Sequence, residues 1–249
     1  MTMQAPEKQV VVVAAYNEAA NLERLVPALL GLPGAPTVVI VDDNSPDGTP
    51  ALLERFAATE PRLVPLVRPA KEGYGTAVLA GFRRALELGA DAVATLDADF
   101  SHDPADVPRL FAALTDADVA VGSRYIGGIR IINWHISRLF LSLFANRYVK
   151  TILGLRLEDA TSGFRAYRRA ALEVLEEETI RSQGYSFLVE VLYRLHRRGL
   201  RLTEVPIIYS ERREGQSKMS RKVILEAMVR PWLLRLGGLR VGRRAAPPR

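Results

Sequence analysis

Two carboxylates one residue apart, Asp97 and Asp99, stand in the stretch Thr95–His102, directly after the apolar run that ends at Ala94. In extended backbone, residues i and i+2 point to the same side. The pair can therefore converge on one hard cation. Mg²⁺ and Mn²⁺ take oxygen ligands of this kind and fill their other positions with water and substrate phosphates. The chemistry this suits is to hold a nucleotide diphosphate and stabilise it as a leaving group. The competing reading is a strand-ending turn with helix-capping chemistry, which Ser101 and Asp103-Pro104 also fit.

The elements around the pair favour the first reading. Val10–Ala15 is a continuous apolar run, as expected of a strand covered on both faces of a parallel sheet. A helix follows over roughly 20–30, with Leu22, Leu25, Val26 and Leu29 at helical spacing. Thr37–Val41 and Leu63–Val67 read as further strands, each feeding a helix, and the strand ending at Asp97 is the fourth. Polar residues fall at the strand ends: Glu18, Asp42/Asp43 and Asp97/Asp99. In open parallel sheets that edge is where ligands bind, so these acids are expected to share one crevice. The turn after the first strand has no glycine, and no Gly-Lys-Ser/Thr loop occurs, which argues against dinucleotide-binding and P-loop domains.

The second half is less regular. A short strand at Val119–Gly122 leads to Ser123-Arg124-Tyr125, and Asp159–Tyr167 is a small polar loop entering a strand. Leu202–Tyr209 reads as one late strand, followed by the basic, glycine-containing loop Glu211–Lys218. Amphipathic helices are expected over about 131–154 and 219–236, with a frayed basic tail over 237–249. In the first, Arg138, Ser142, Asn146 and Lys150 recur every four residues. Such a stripe is either a solvated face or a polar strip looking into a site from a membrane-facing helix.

At 249 residues, with 48% hydrophobic and 25% charged residues, the chain is long enough for one large domain, read over 1–236, or for two small ones. It has no cysteine, which excludes disulfides and thiolate metal sites. The polar N-terminus lacks the apolar core of a signal peptide. No apolar run reaches the roughly 20 residues of a spanning helix. The net charge of +6 is concentrated toward the C-terminus, where no acid follows Glu226. That balance suits anionic lipid or phosphorylated substrates. Nucleic-acid binding is disfavoured, since no recognition motif appears and aromatics are not interleaved with the basic residues.

The segments AAYNE (from Ala14), VVIVDDNSPDGT (from Val38), KEGYGTA (from Lys71), TLDADFSHDP (from Thr95), VGSRY (from Val121), DATSGFRAYRR (from Asp159) and ERREGQSK (from Glu211) occur in this order. Together they resemble the polyprenol-phosphate (dolichol-phosphate) mannose synthases among the family 2 inverting glycosyltransferases, over roughly residues 9–235. The resemblance implies an α/β glycosyltransferase-A fold, a Rossmann-like, mostly parallel sheet flanked by helices. It implies Ala14, Tyr16 and Glu18 at the nucleobase and ribose, with Val41 and Asp43 on the base. Asp97 and Asp99, with Ser101, would hold Mg²⁺ or Mn²⁺ on the diphosphate, with Ala98 nearby. Arg124, Arg212 and Lys218 would neutralise phosphates, and Arg138 and Ser142 would meet the lipid phosphate. The family often has Pro where this chain has Ala14, a departure that touches a backbone contact. Processive polysaccharide synthases would carry Gln-x-x-Arg-Trp, which is absent.

The reaction so implied is mannosyl transfer from GDP-mannose to a polyprenol monophosphate, with inversion. A phosphate monoester is already anionic, so no general base is needed, and Asp159 is expected to serve loop structure or positioning. The implied setting is the cytoplasmic face of a membrane, by peripheral attachment, with a membrane-anchoring partner protein as an option. The alternatives are a glucose or other hexose synthase using a UDP-sugar, and a non-catalytic nucleotide-binding scaffold.

Overall fold

The apolar runs of the first half form strands β1 (Gln9–Ala15), β2 (Thr37–Asp42), β3 (Leu63–Val67) and β4 (Ala92–Asp97). They alternate with helices α1 (Ala19–Leu30), α2 (Thr49–Ala57) and α3 (Tyr74–Glu87). The structure is a computed structural model that describes residues 4, 6–180, 182, 184–211 and 221–240, with the side chains of 225–237 in the last helix. After β4 a 3₁₀ turn at Pro104–Asp106 leads into α4 (Val107–Ala113). The second half supplies β5 (Val119–Ser123), β6 (Ile131–Ile132), α5 (Ile136–Leu153), β7 (Arg165–Arg168), α6 (Arg169–Glu176), α7 (Gly184–Arg197), β8 (Leu202–Pro206), β9 (Tyr209–Ser210) and α8 (Arg221–Arg240).

Seven strands make one sheet in the order β3-β2-β1-β4-β7-β5-β8, parallel except for β7, which runs against both neighbours. This is the mostly parallel α/β sheet expected from the sequence. Successive side chains of a doubly covered strand enter opposite layers. Val10 and Val12 pack into the layer of α3, α6 and α7. Val11 and Val13 pack into the layer of α1, α2 and α4. The register sets Ala14 opposite both Val41 and Asp97, so the ends of β2, β1 and β4 are level.

Three expected boundaries move. The helix expected from about residue 131 begins at Ile136, because Asn133 takes a positive φ of 65° and His135 is extended and caps the helix, its Nδ1 accepting the Ser137 N–H. Residues 131–132 form β6 instead. The single strand expected over Leu202–Tyr209 is two: β8 ends at Pro206, which has no N–H to continue a ladder, and β9 pairs with β6 in a separate two-stranded sheet. The last helix runs to Arg240, four residues past the expected 236, and 241–249 lie outside the described residues.

Helix α3 lies tight against the sheet at Gly81, where an added Cβ would sit 2.3 Å from Val12 Cγ1 and 3.2 Å from Val41 Cγ2. Alanine would gain about 1 kcal/mol of helix propensity, but overpacking a closed core costs about 1–3 kcal/mol. At 2.3 Å from a fully packed sheet valine the clash dominates. Gly81→Ala is therefore expected to lower the thermal unfolding midpoint by several degrees, read by circular dichroism.

Candidate active site

The rim at the C-terminal ends of β1, β2 and β4 is built from sharp turns. Asn17, Asn44 and Phe100, each just beyond a strand, all have positive φ (60°, 55° and 57°). The turns are tied together: the Asn17 N–H donates to Ser45 Oγ at 2.9 Å, and Ser45 donates from N and Oγ to the fully buried Asp42 at 2.9 and 2.5 Å. With strands about 4.8 Å apart, β2 and β4 lie about 10 Å from each other across β1. The acids on these turns thus stand along one rim of the sheet.

On the β1–β2 side, Ala14 is half-buried and Tyr16 is exposed, with Lys71 Nζ 3.5 Å from its ring centroid. Glu18 accepts from Asn21 Nδ2 at 2.6 Å. Val41 is fully buried in the core, so anything bound at this rim would meet its backbone. Asp43 is also buried and is engaged by Arg68, whose Nε donates to Oδ1 at 2.6 Å. Arg68 reaches Thr76 Oγ1 and the Gly73 carbonyl at 3.0 and 3.3 Å, bracing the start of α3. A buried arginine reads in sequence like any surface cation, and Arg68 was not anticipated.

At the end of β4, Asp97 and Asp99 are both partly exposed, and Ala98 between them is buried. Asp99 Oδ1 accepts the Ser101 N–H at 3.0 Å. Ser101 is buried beside them. Among the described residues no three His, Cys, Asp or Glu side chains cluster to cage a metal. Two carboxylates alone fit a cation that draws its remaining ligands from water and a diphosphate, which is the habit of Mg²⁺ and Mn²⁺. The Nδ1 lone pair of His102 is already taken by a backbone N–H, so that nitrogen does not join them. Burial pushes its pKa down, against the raising influence of Asp97 and Asp99, and its Nδ1 accepts the Asp97 N–H at 3.4 Å. The ring is neutral, so its 3.8 Å approach to Asp97 Oδ2 is no ion pair. Tyr74, half-buried with its hydroxyl next to Gly163 and Asp97, has its phenol pKa raised by desolvation and then by the Asp97 charge.

Beyond the diacid, Arg124 is held by Asp159. Nε and Nη2 donate to the two carboxylate oxygens at 2.6 and 2.7 Å, and the Arg124 N–H adds a third bond at 3.1 Å. Asp159 is fully buried. Burial alone would push its carboxyl up; the Arg124 charge and the hydrogen bonds from Arg124 and Thr161 together outweigh it, and the pKa is lowered. Both oxygens are occupied, which fits the positioning role expected of Asp159. Three aromatic rings, Tyr125, Trp134 and Tyr209, stand 5.3–5.5 Å from the Arg124 guanidinium. The loop after Asp159 is stapled by Arg165, wholly buried, whose guanidinium donates to the carbonyls of Ser162, Leu188 and Ala160 at 2.7–3.0 Å. Arg165 was likewise not anticipated.

Helix α5 turns its polar stripe inward. Ser142 Oγ accepts from the Tyr125 hydroxyl at 2.7 Å. Buried Asn146 bonds the loop at Ala160 N and Thr161 Oγ1. Arg138 lies 4.2 Å over Trp134 and pairs with Glu211. Lys150, one turn on, pairs outside with Glu158 at 2.6 Å. The apolar stripe Ile136, Phe140 and Phe144, on the opposite face, is 64–65% exposed. A cavity of about 460 Å³ runs from Asp97 past Arg124 and Arg138 into an apolar trough between α5, α7 and α8. Arg212 and Lys218 lie outside the described residues.

Removing Asp159 would leave a buried guanidinium uncompensated, a change that costs about 3–5 kcal/mol. Asp159→Ala is expected to lose that stability at pH 7. Because the folded carboxyl is the stronger acid, the wild-type advantage should be full above the ordinary aspartate value and fade as pH falls through the folded one. Denaturant unfolding of both proteins between pH 7 and 3 checks this; an advantage that grows on acidification contradicts it.

The family model for glycosyl transferase family 2 matches residues 10–175. The chain is 41% identical over 218 residues to the undecaprenyl-phosphate mannosyltransferase of Micrococcus luteus, spanning 88% of this chain and 90% of that one. It is 40% identical over 238 residues to the polyprenol monophosphomannose synthase of Mycolicibacterium smegmatis, spanning 94% and 90%. Among solved structures it is similar to glucosyl-3-phosphoglycerate synthase from Mycobacterium tuberculosis, in complex with Mn²⁺, uridine diphosphate and glucosyl-3-phosphoglycerate. The TM-score is 0.66 at 20% identity, over 90% of this chain and 80% of that one. That likeness shows a shared fold, glycosyltransferase-A.

Proposed function

This chain belongs to glycosyl transferase family 2, and from that premise we propose that it transfers mannose from GDP-mannose to a polyprenol (dolichol-type) monophosphate, giving the β-linked lipid phosphosugar and GDP. Its relatives of about 40% identity bear names that specify mannosyl transfer to such lipids. The observation that carries the reading is the cavity. It joins Asp97, one of the two carboxylates suited to a diphosphate-bound cation, with Arg124, Arg138 and Arg230 and an apolar trough shaped for a hydrocarbon chain.

In this reading the nucleobase and ribose lie over Ala14, Tyr16 and Glu18, with the backbone at Val41 and the carboxylate of Asp43 toward the base. Asp97 and Asp99 hold Mg²⁺ or Mn²⁺, with Ala98 between them and Ser101 beside them. The bound ion supplies charge neutralisation of the diphosphate as it leaves. The acceptor phosphate comes to Arg124, Arg138 and Ser142. Asp159 keeps the Arg124 guanidinium fixed through Nε and Nη2, so Nη1 is the nitrogen an incoming phosphate meets. Ser142 Oγ accepts from Tyr125 and keeps its own proton to donate. Arg212 and Lys218 add charge on the diphosphate side. The work of these residues is to bring two anions into line, since the nucleophile arrives ionised. Attack opposite the leaving diphosphate inverts the anomeric carbon.

The outward apolar faces give the attachment. No helix among the described residues is long and apolar enough to cross a membrane. Phe140 and Phe144 on α5 and Leu225, Met228, Trp232 and Leu236 on α8 are all exposed. Each large apolar side chain moved out of water contributes about 1.5–3 kcal/mol. We read these faces as lying in the cytoplasmic surface of the bilayer, by themselves or beside a membrane-anchoring partner.

Labelled GDP-mannose, Mg²⁺ and polyprenyl phosphate should yield organic-phase label, abolished by EDTA and by Asp99→Ala without loss of fold. Label drawn instead from a UDP-hexose would establish the hexose-synthase alternative. Phe140→Ser combined with Phe144→Ser should weaken flotation with anionic vesicles at least tenfold; unchanged flotation removes the membrane assignment of α5.

A further inference from the structure

The arginines along the cavity each carry a carboxylate partner, and the partners differ in one respect. Asp159, on Arg124, is fully buried. Glu190 is also fully buried and accepts from Arg230 at 3.0 Å, from Arg194 at 2.6 and 2.9 Å, and from Ser182. Glu211, on Arg138, is 34% exposed, and Arg138 is 31% exposed. The first two carboxylates are locked by several hydrogen bonds and by the desolvation that would follow their release. The Glu211 pair is open to solvent, where such a pair is worth little and exchanges readily.

Both members of that pair line the cavity. Arg138 also stands over the Trp134 ring, its Cζ 4.2 Å from the centroid. Its position therefore survives the loss of Glu211, and an anion can take the place of the carboxylate. We propose that Glu211 is a resident counter-ion on Arg138 that the acceptor's phosphate displaces, and that it sets the acceptor specificity of the site. This rests on the lipid-phosphate reading above. To occupy Arg138 an anion must outcompete a tethered carboxylate. A phosphate monoester, with a charge of about −1.5 to −2 near pH 7 and three acceptor oxygens, does so. A phosphodiester headgroup, with a single charge and two free oxygens, does so less readily. A site open to a bilayer is surrounded by such diesters, and Glu211 weights the competition for Arg138 against them.

Glu211→Gln tests the filter. It should lower the KM for polyprenyl phosphate about threefold, the scale of a part-exposed ion pair, with kcat little changed. It should also make transfer about threefold more sensitive to inhibition by phosphatidylglycerol than the wild type is. Glu211→Asp should restore the wild-type pattern. Calorimetric titration with inorganic phosphate, read without any transfer reaction, should show tighter binding to Glu211→Gln than to wild type. Equal phosphate binding and an unchanged or raised acceptor KM would overturn the proposal. So would tighter binding of free phosphate without any gain in phosphatidylglycerol inhibition, since that denies the discrimination. If the wild type transfers no mannose to the lipid, the functional reading fails by itself, and the calorimetric arm still decides whether Glu211 competes for Arg138.

Discussion

A guanidinium buried as deeply as that of Arg124 cannot stand without a counter-charge, and Asp159 supplies it from the far side of the second half of the chain. Arg124 follows β5; Asp159 opens the loop that enters β7. Their contact fixes both, and the surrounding bonds follow from it. Glu204 on β8 accepts the N–H groups of Glu158 and Asp159 at 2.8 and 2.9 Å. Asn146 ties α5 to the same loop. Arg165 closes it from beneath. Gly163 can then rest against Tyr74 and Asp97, where a Cβ would lie 3.0 Å from the Tyr74 hydroxyl. In this way the Arg124–Asp159 pair braces a carboxylate of the diacid.

Helix α5 reverses the usual arrangement of a surface helix. The stripe Arg138, Ser142, Asn146 and Lys150 is half-buried or buried and bonded to neighbouring segments, while Ile136, Phe140, Leu141 and Phe144 are exposed. Water makes such an orientation unfavourable unless something else covers the apolar stripe. Tyr148 links this helix to α8: its hydroxyl donates to the Met228 carbonyl at 2.7 Å and accepts from Trp232 Nε1 at 2.9 Å. The two helices therefore present their exposed apolar residues as a coupled pair beside the mouth of the cavity.

The first half of the molecule was legible because its signals are local. Four apolar runs separated by helical periodicity specify a parallel sheet, and a parallel sheet sends its loop acids to one edge. Asp97 and Asp99 needed no distant partner to be recognised. The second half was less legible because its decisive contacts span long separations. Nothing near Arg124 in the chain announces Asp159, 35 residues on. Arg68 and Arg165 are as buried as any leucine, yet an arginine's usual place is outside. The Arg138–Lys150 stripe has the same four-residue spacing whether it faces water or a site, so periodicity could not choose; the packing of Asn146 did. Pro206 was the sign that Leu202–Tyr209 breaks in two, and its meaning depended on β6 being present to receive β9.

Strand β7 runs opposite to β4 and β5, between which it lies. An antiparallel strand begins at the rim where its neighbours finish, so the loop preceding β7 is delivered to the cleft by a chain travelling downward. The cleft is consequently assembled from two consecutive stretches of polypeptide. In the function proposed above, the one up to β4 furnishes the nucleotide's seat, and the one after it furnishes the walls that greet the second substrate. On that reading, sequence drift in the later stretch can retune what receives the sugar while the earlier stretch, and the donor chemistry proposed for it, stays intact.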